Sequence, residues 1–154
     1  MFVFRKEAEV HVAEVALPPE AAVELFSTLL DQMPSQVDFA LECLRGGRRF
    51  VGEGLHLAEV REAVTRLKVP LVASGGVEVA VYTGEEQVSL SPMLDLWIYA
   101  RSDRWLYILR GQGLEETPEL PRRTWMLGRR EFTGAPELVE AVTAAAERLT
   151  LKLA

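Results

Sequence analysis

A chain of 154 residues, 49% hydrophobic and 26% charged, is long enough to bury one substantial core and too apolar to be disordered. Its net charge of −6 argues against a general binder of nucleic acid or of membrane surfaces, since both need positive faces. One cysteine, Cys43, and two histidines, His11 and His56, exclude an internal disulfide, a cysteine-based metal cluster and a histidine-rich metal site.

No apolar run approaches the ~20 residues of a membrane helix. The N-terminus MFVFRKEAEVHV lacks the basic start, apolar stretch and small-residue cleavage site of a signal peptide. A single domain over 1–154 in the cytoplasm is therefore expected. Asn is absent, Gln is scarce and Arg far outnumbers Lys, which fits a thermophilic source or a GC-rich genome. The charge is uneven: residues 101–130 hold seven Arg against four acids, so the rest of the chain is strongly acidic.

Residues 2–16 read as extended, with valines at 10, 12 and 15. LPPEAAVELFSTLLDQMP follows as a helix, with Pro19 and Glu20 suited to its first turn. Ala22, Phe26, Leu29, Leu30 and Met33 form its apolar stripe, and Pro34 stops it. VDFALECLRGGRRFVGEG reads as a hairpin turning at Gly46-Gly47. Direct pairing there sets Cys43 opposite Phe50, Leu41 opposite Gly52 and Phe39 opposite Gly54; glycine opposite a large residue leaves room for a ring or for a helix to approach.

HLAEVREAVTRLKV is the second predicted helix, with a seam of Leu57, Val60, Val64 and Leu67. Pro70 is expected to end it, leaving PLVAS as a short strand. VEVAVYTGEEQVSL alternates strictly and turns at Gly84-Glu85. Val77, Val79, Val81, Val88 and Leu90 take its dry face; Glu78, Ala80, Tyr82, Gln87 and Ser89 take the other.

DLWIYARSDRWLYILRG reads as a further hairpin, with a ring pair on each side of Ser102-Asp103. In the preferred register Leu94, Leu96, Ile98 and Ala100 share a core face with Trp105, Tyr107 and Leu109. The outer face then carries Trp97, Tyr99, Leu106 and Ile108, edged by Arg101, Arg104 and Arg110. A three-residue loop would instead put all four rings on one face. Residues 111–134 read as irregular, and PELVEAVTAAAERLTL as a final amphipathic helix lined by Leu138, Val142, Ala145, Ala146 and Leu149. The expected fold is α+β: a curved antiparallel sheet containing a meander of about four strands, with about three helices on one face.

An outer apolar patch of this kind needs a cover. Three are open: residues 111–132 with Trp125 and Met126, a second copy of the chain in an isologous dimer, or a ligand or partner protein. Trp, Tyr and Arg are the residue types that dominate protein interfaces.

Catalytic candidates are few. Cys43 sits on the apolar face of its strand, where it serves as a small hydrophobe. His11, near Glu9, and His56, near Glu59, are the residues an enzyme reading would have to use as a general base. RGQGLEE and GGRRFVGEG lack the pattern of a phosphate loop. Arg122, Arg123 and Arg129 with Trp125 could grip an anionic or aromatic ligand; the plainer reading is a salt-bridged rim.

No family resemblance emerges and no catalytic residue, metal or cofactor is assigned. The expectation is a binding domain that associates with itself, most simply as a dimer, or docks a partner protein. Its interface would be Trp97, Tyr99, Arg101, Arg104, Leu106, Ile108 and Arg110. The alternatives are a small-molecule pocket between sheet and helices, and an enzyme using an isolated histidine.

Overall fold

The computed structural model describes residues 1–120 and 135–154. Eight strands form one antiparallel sheet: β1 (Phe2–Glu7), β2 (Val10–Val15), β3 (Gln36–Cys43), β4 (Arg49–His56), β5 (Val77–Tyr82), β6 (Glu86–Leu90), β7 (Leu96–Ala100) and β8 (Lys152–Leu153). Their order in the sheet is β1-β2-β7-β6-β5-β3-β4-β8. Among the described residues four α-helices accompany it: α1 (Pro19–Leu29), α2 (Leu57–Ser74), α3 (Arg104–Gly111) and α4 (Pro136–Arg148). The fold is α+β, with the antiparallel sheet expected from the strict alternation of residues 77–90.

All four helices bury side chains in one core, together with alternate residues of the strands. Phe26 and Leu29 of α1, Val64 and Leu67 of α2, Trp105 and Leu109 of α3 and Leu138 and Val142 of α4 meet Val15, Phe39, Leu41, Val79, Val88 and Ile98. The residues between these in each strand point to the other side. Four helices therefore close one face of the sheet, and period two decides which side chains remain on the opposite one.

The α1 stripe is buried as its spacing predicts, and so are Val60, Val64 and Leu67 of α2. The turn at Gly84-Glu85 also holds, with Val81 opposite Val88 and Tyr82 opposite Gln87. Four local expectations are corrected.

Residues 2–16 form two strands, not one. They turn at Ala8, whose φ of 53° is left-handed without a glycine to signal it. The β3–β4 hairpin pairs Leu41 with Phe50 and Phe39 with Gly52, two residues away from the expected register. Its loop is longer: Cys43 N–H donates to Arg48 C=O at 2.9 Å, which leaves four residues to turn. A glycine still faces a large residue, and the close approach it permits comes from the chain after α4. A Cβ on Gly52 would lie 2.6 Å from Leu151 Cδ2.

Pro70 does not end α2, and PLVAS is its last turns rather than a strand. The proline removes one N–H, but Leu71 and Ser74 extend the buried stripe begun by Val60, Val64 and Leu67. Packing outweighs the lost bond. The helix stops at Gly75, where φ reaches 60°, and Gly75 N–H still donates to Leu71 C=O.

The fourth correction concerns the aromatic hairpin. Its first arm is β7, but residues 104–111 form α3 and not a strand. The meander of residues 77–100 therefore has three strands. The cause is topological. β7 pairs with β6 on one side and with β2 on the other, so both of its edges are taken before Trp105 is reached. The chain must leave the sheet, and Trp105 and Leu109, one helical turn apart, enter the core from above it.

Because Pro70 sits inside α2 against its own preference, Pro70→Ala should raise stability, by about 1–3 kcal/mol once the greater freedom of the unfolded alanine chain is set against the restored hydrogen bond. Urea unfolding measures it; a loss of stability would show that the proline ring is needed for packing.

Candidate interaction face

The open face is best read row by row across the paired strands. One row runs Val51, Ala40, Ala80, Ser89, Trp97, Glu14, Val3 from β4 to β1. The next runs Asp38, Tyr82, Gln87, Tyr99, Val12, Arg5. None of the buried residues in these rows, Val12, Ala40, Ala80 and Ser89, belongs to the core under the helices.

Two levels result. Ala40, Ala80 and Ser89 are small and lie side by side on three adjacent strands, so the face is low there. Trp97 and Tyr99 stand beside them on β7. Their rings stack with centroids 6.2 Å apart and planes 8° from parallel. Tyr99 is 37% exposed although it lies in the middle of the sheet's order. The ridge is therefore held rigid by its own stacking and by Val12 beside it, and presents aromatic surface outward.

Charges frame the rings. Arg5 and Glu7 pair at 2.6 Å on β1, and Arg49 and Glu42 pair at 3.4 Å on the far side. Asp38 accepts a hydrogen bond from Gly54 N–H at 3.0 Å. Burial pushes the Tyr99 phenol above its ordinary pKa; the Arg5 cation opposes this, and the carboxylates of Glu7, Glu78 and Glu14 add to it.

The expected interface residues are thus divided. Trp97 and Tyr99 share the open face as predicted. Arg101 follows β7 and faces Glu85 at 3.5 Å in a solvated pair. Arg104, Leu106, Ile108 and Arg110 lie on α3 and not on the open face, because that segment is a helix. Leu106 and Ile108 pack against the core. Arg110 pairs with Glu116 at 3.0 Å.

Arg104 has a structural task. Its Nε donates to Glu86 Oε2 at 3.0 Å, and its Nη2 donates both to Glu86 Oε1 and to the Gln32 carbonyl, the latter at 2.9 Å. Trp105 Nε1 donates to the same carboxylate at 2.8 Å. One acid on β6 therefore fixes the first turn of α3 and satisfies the polar atom of a fully buried indole. The Arg122, Arg123, Trp125 and Arg129 group proposed for anion binding, and Met126, lie outside the described residues.

The histidines stand apart on different strands. His11 on β2 lies opposite Lys6 and Ala100 and stacks on Phe4 at 5.6 Å, and its buried Nδ1 has no hydrogen-bond partner among the described residues. His56 is exposed at the end of β4, opposite Gln36. Cys43 is buried, and burial pushes its thiol pKa up while Arg48 opposes; this disfavours the thiolate that nucleophilic attack requires. Among the described residues no group of three or more His, Cys, Asp or Glu is placed to hold a metal ion, and no helix is long and apolar enough to cross a membrane.

Sequence reading missed the partners of the rings: Arg5, Val12 and Glu14 from the N-terminal hairpin, and the low strip of Ala40, Ala80 and Ser89. Alternation places each on the outer side of its own strand. Only the strand order brings them together. Comparison of the chain with protein-family models, with curated proteins and with solved structures returns no significant match.

Two measurements check this geometry. Glu86→Ala strips Trp105 Nε1 and Arg104 of their acceptor and should cost about 1.5–3 kcal/mol in urea unfolding, with Glu86→Gln costing less; equal costs near zero would refute the anchoring role. Tyr99 should ionise late in an ultraviolet pH titration, as the difference between wild type and Tyr99→Phe. A raised folded pKa means that its contribution to stability is full below the unfolded tyrosine pKa and is lost as pH rises through the folded value.

Proposed function

We propose that this protein is a cytoplasmic binding domain that acts by docking a protein surface against the open face of its sheet, with no chemistry of its own. The observation that carries this reading is the stacked pair Trp97 and Tyr99. Two rings are held in a fixed geometry on the face that the described helices leave open. Rigid aromatic surface edged by paired charges is what binding hot spots are made of, because little side-chain entropy remains to be lost on contact. Folding alone gives no reason for it. A sheet face turned to water is served as well by Thr, Lys and Glu. The small-molecule reading has no comparable support among the described residues, and the enzyme reading would need an orienting partner for His11.

Trp97→Ala with Tyr99→Ala should leave the fold standing, with a melting temperature lowered by only a few degrees. It should also abolish association, whether with another copy or with a partner. Tyr107→Ser, a change of a more exposed ring on α3, should leave association intact. Circular dichroism with sedimentation velocity reads both. An unfolded double variant, or association that survives it, would contradict the proposal.

A further inference from the structure

The relief of the open face points to its occupant. An isologous interface must be self-complementary: whatever one copy raises, the other must receive. This face carries the stacked ridge of Trp97 and Tyr99 on β7, a further ring, Tyr82 on β5, in the Tyr99 row, and a low strip in the Trp97 row, Ala40, Ala80 and Ser89 on β3, β5 and β6. The ridge lies on one side of the midline of the eight-strand order, which falls between β6 and β5; the low strip crosses that midline, with Ala80 and Ala40 on the side opposite the ridge.

We propose that two copies pack their open faces together about a two-fold axis that runs along the strands between β6 and β5. This rests on the binding-face reading above and names the partner as a second copy of this chain. Such an axis keeps the rows in register and reverses the strand order. β7 of one copy then lies over β3 of the other, and β6 over β5. Trp97 of each copy enters the low strip of the other at Ala40. Ser89 meets Ala80, and the Tyr99 hydroxyl comes over the Asp38 carboxylate, to which it can donate. Glu14 on β2 comes over β4 at Val51, next to the cations Arg49 and Lys152. The same operation repeats each contact, so both rings are seated and both acids are matched.

The size of the face agrees. At ~4.8 Å between strands and ~3.3 Å per residue, eight strands of about five residues span on the order of 650 Å² in projection, and side-chain relief adds to this. That approaches the ~800 Å² per partner of a standard stable interface. Two sheets packed face to face with strands aligned is also a common way for such surfaces to meet.

The test is a swap of knob and hole, read by sedimentation velocity over a wide concentration range, with thermal melting as the fold control. Wild type should be a dimer. Trp97→Ala and Ala40→Trp should each weaken it at least tenfold. Trp97→Ala combined with Ala40→Trp should recover most of the loss, because the two positions face each other across the axis and not within one chain. A dimer weakened by both single changes but not restored by the pair overturns the pairing. A wild type monomeric at every concentration overturns the second copy as occupant but leaves the binding face in place. A dimer indifferent to all the variants overturns both readings. If either single variant fails to fold, oxidation of Trp97→Cys/Ala40→Cys replaces it: a covalent dimer supports the arrangement, and monomer alone refutes it.

Discussion

The structure depends on the two edges of β7 being filled. β6 reaches one edge through a short turn, as local pattern requires. β2 takes the other from across the chain, pairing five residues from His11–Ala100 to Val15–Leu96. Once both edges are taken, no strand can follow Ala100 into the sheet. The next segment must cross onto the core, and its two buried apolar residues, Trp105 and Leu109, reach it from one face of a helix. The Glu86 carboxylate then holds the first turn of α3 where it lands. The single acid works in both directions: it neutralises Arg104 and spares the buried Trp105 an unpaired N–H.

The same pairing sets the character of the open face. With the described helices on one side, β1 to β7 turn mainly apolar side chains to that side, and alternation leaves the other to whatever function demands. β7 puts its rings there. In the Trp97 row β3, β5 and β6 put small side chains there. The N-terminal hairpin adds Val12 beneath Tyr99 and an acid, Glu14, opposite Trp97. Neither the ridge nor the low strip is a property of one strand. Both come from neighbours that lie far apart in sequence, which is why a one-sided sheet can carry a shaped surface at no cost to its core.

What could be read from the chain was whatever depends on a single period. The α1 stripe, the dry face of β5 and β6, and the outward turn of Trp97 and Tyr99 follow from spacings of 3.6 or 2 and hold in the structure. What could not be read depends on distant pairing. WLYILR fits a strand and a helix about equally well, since Trp105, Tyr107 and Leu109 alternate while Trp105 and Leu109 also sit four apart. Only the position of β2 decides between them. Pro70 misled for the related reason that local propensity yields to a buried stripe continued by Leu71 and Ser74. The turn at Ala8 carried no signal, because the residue in the left-handed conformation is not glycine. The stacked rings were legible as candidates; their setting between Glu14, Val12 and Ser89 was not.

The central claim is that the face bearing Trp97 and Tyr99 is a binding surface and not part of the folding core. Hydroxyl-radical footprinting of these two side chains, in dilute and in concentrated protein, tests it most directly. The account predicts ready labelling of both rings in dilute solution and protection of both as concentration rises, while fully buried Trp105 stays unlabelled throughout. Rings as protected as Trp105 at every dilution would mean that the chain itself closes this face, and would contradict the account.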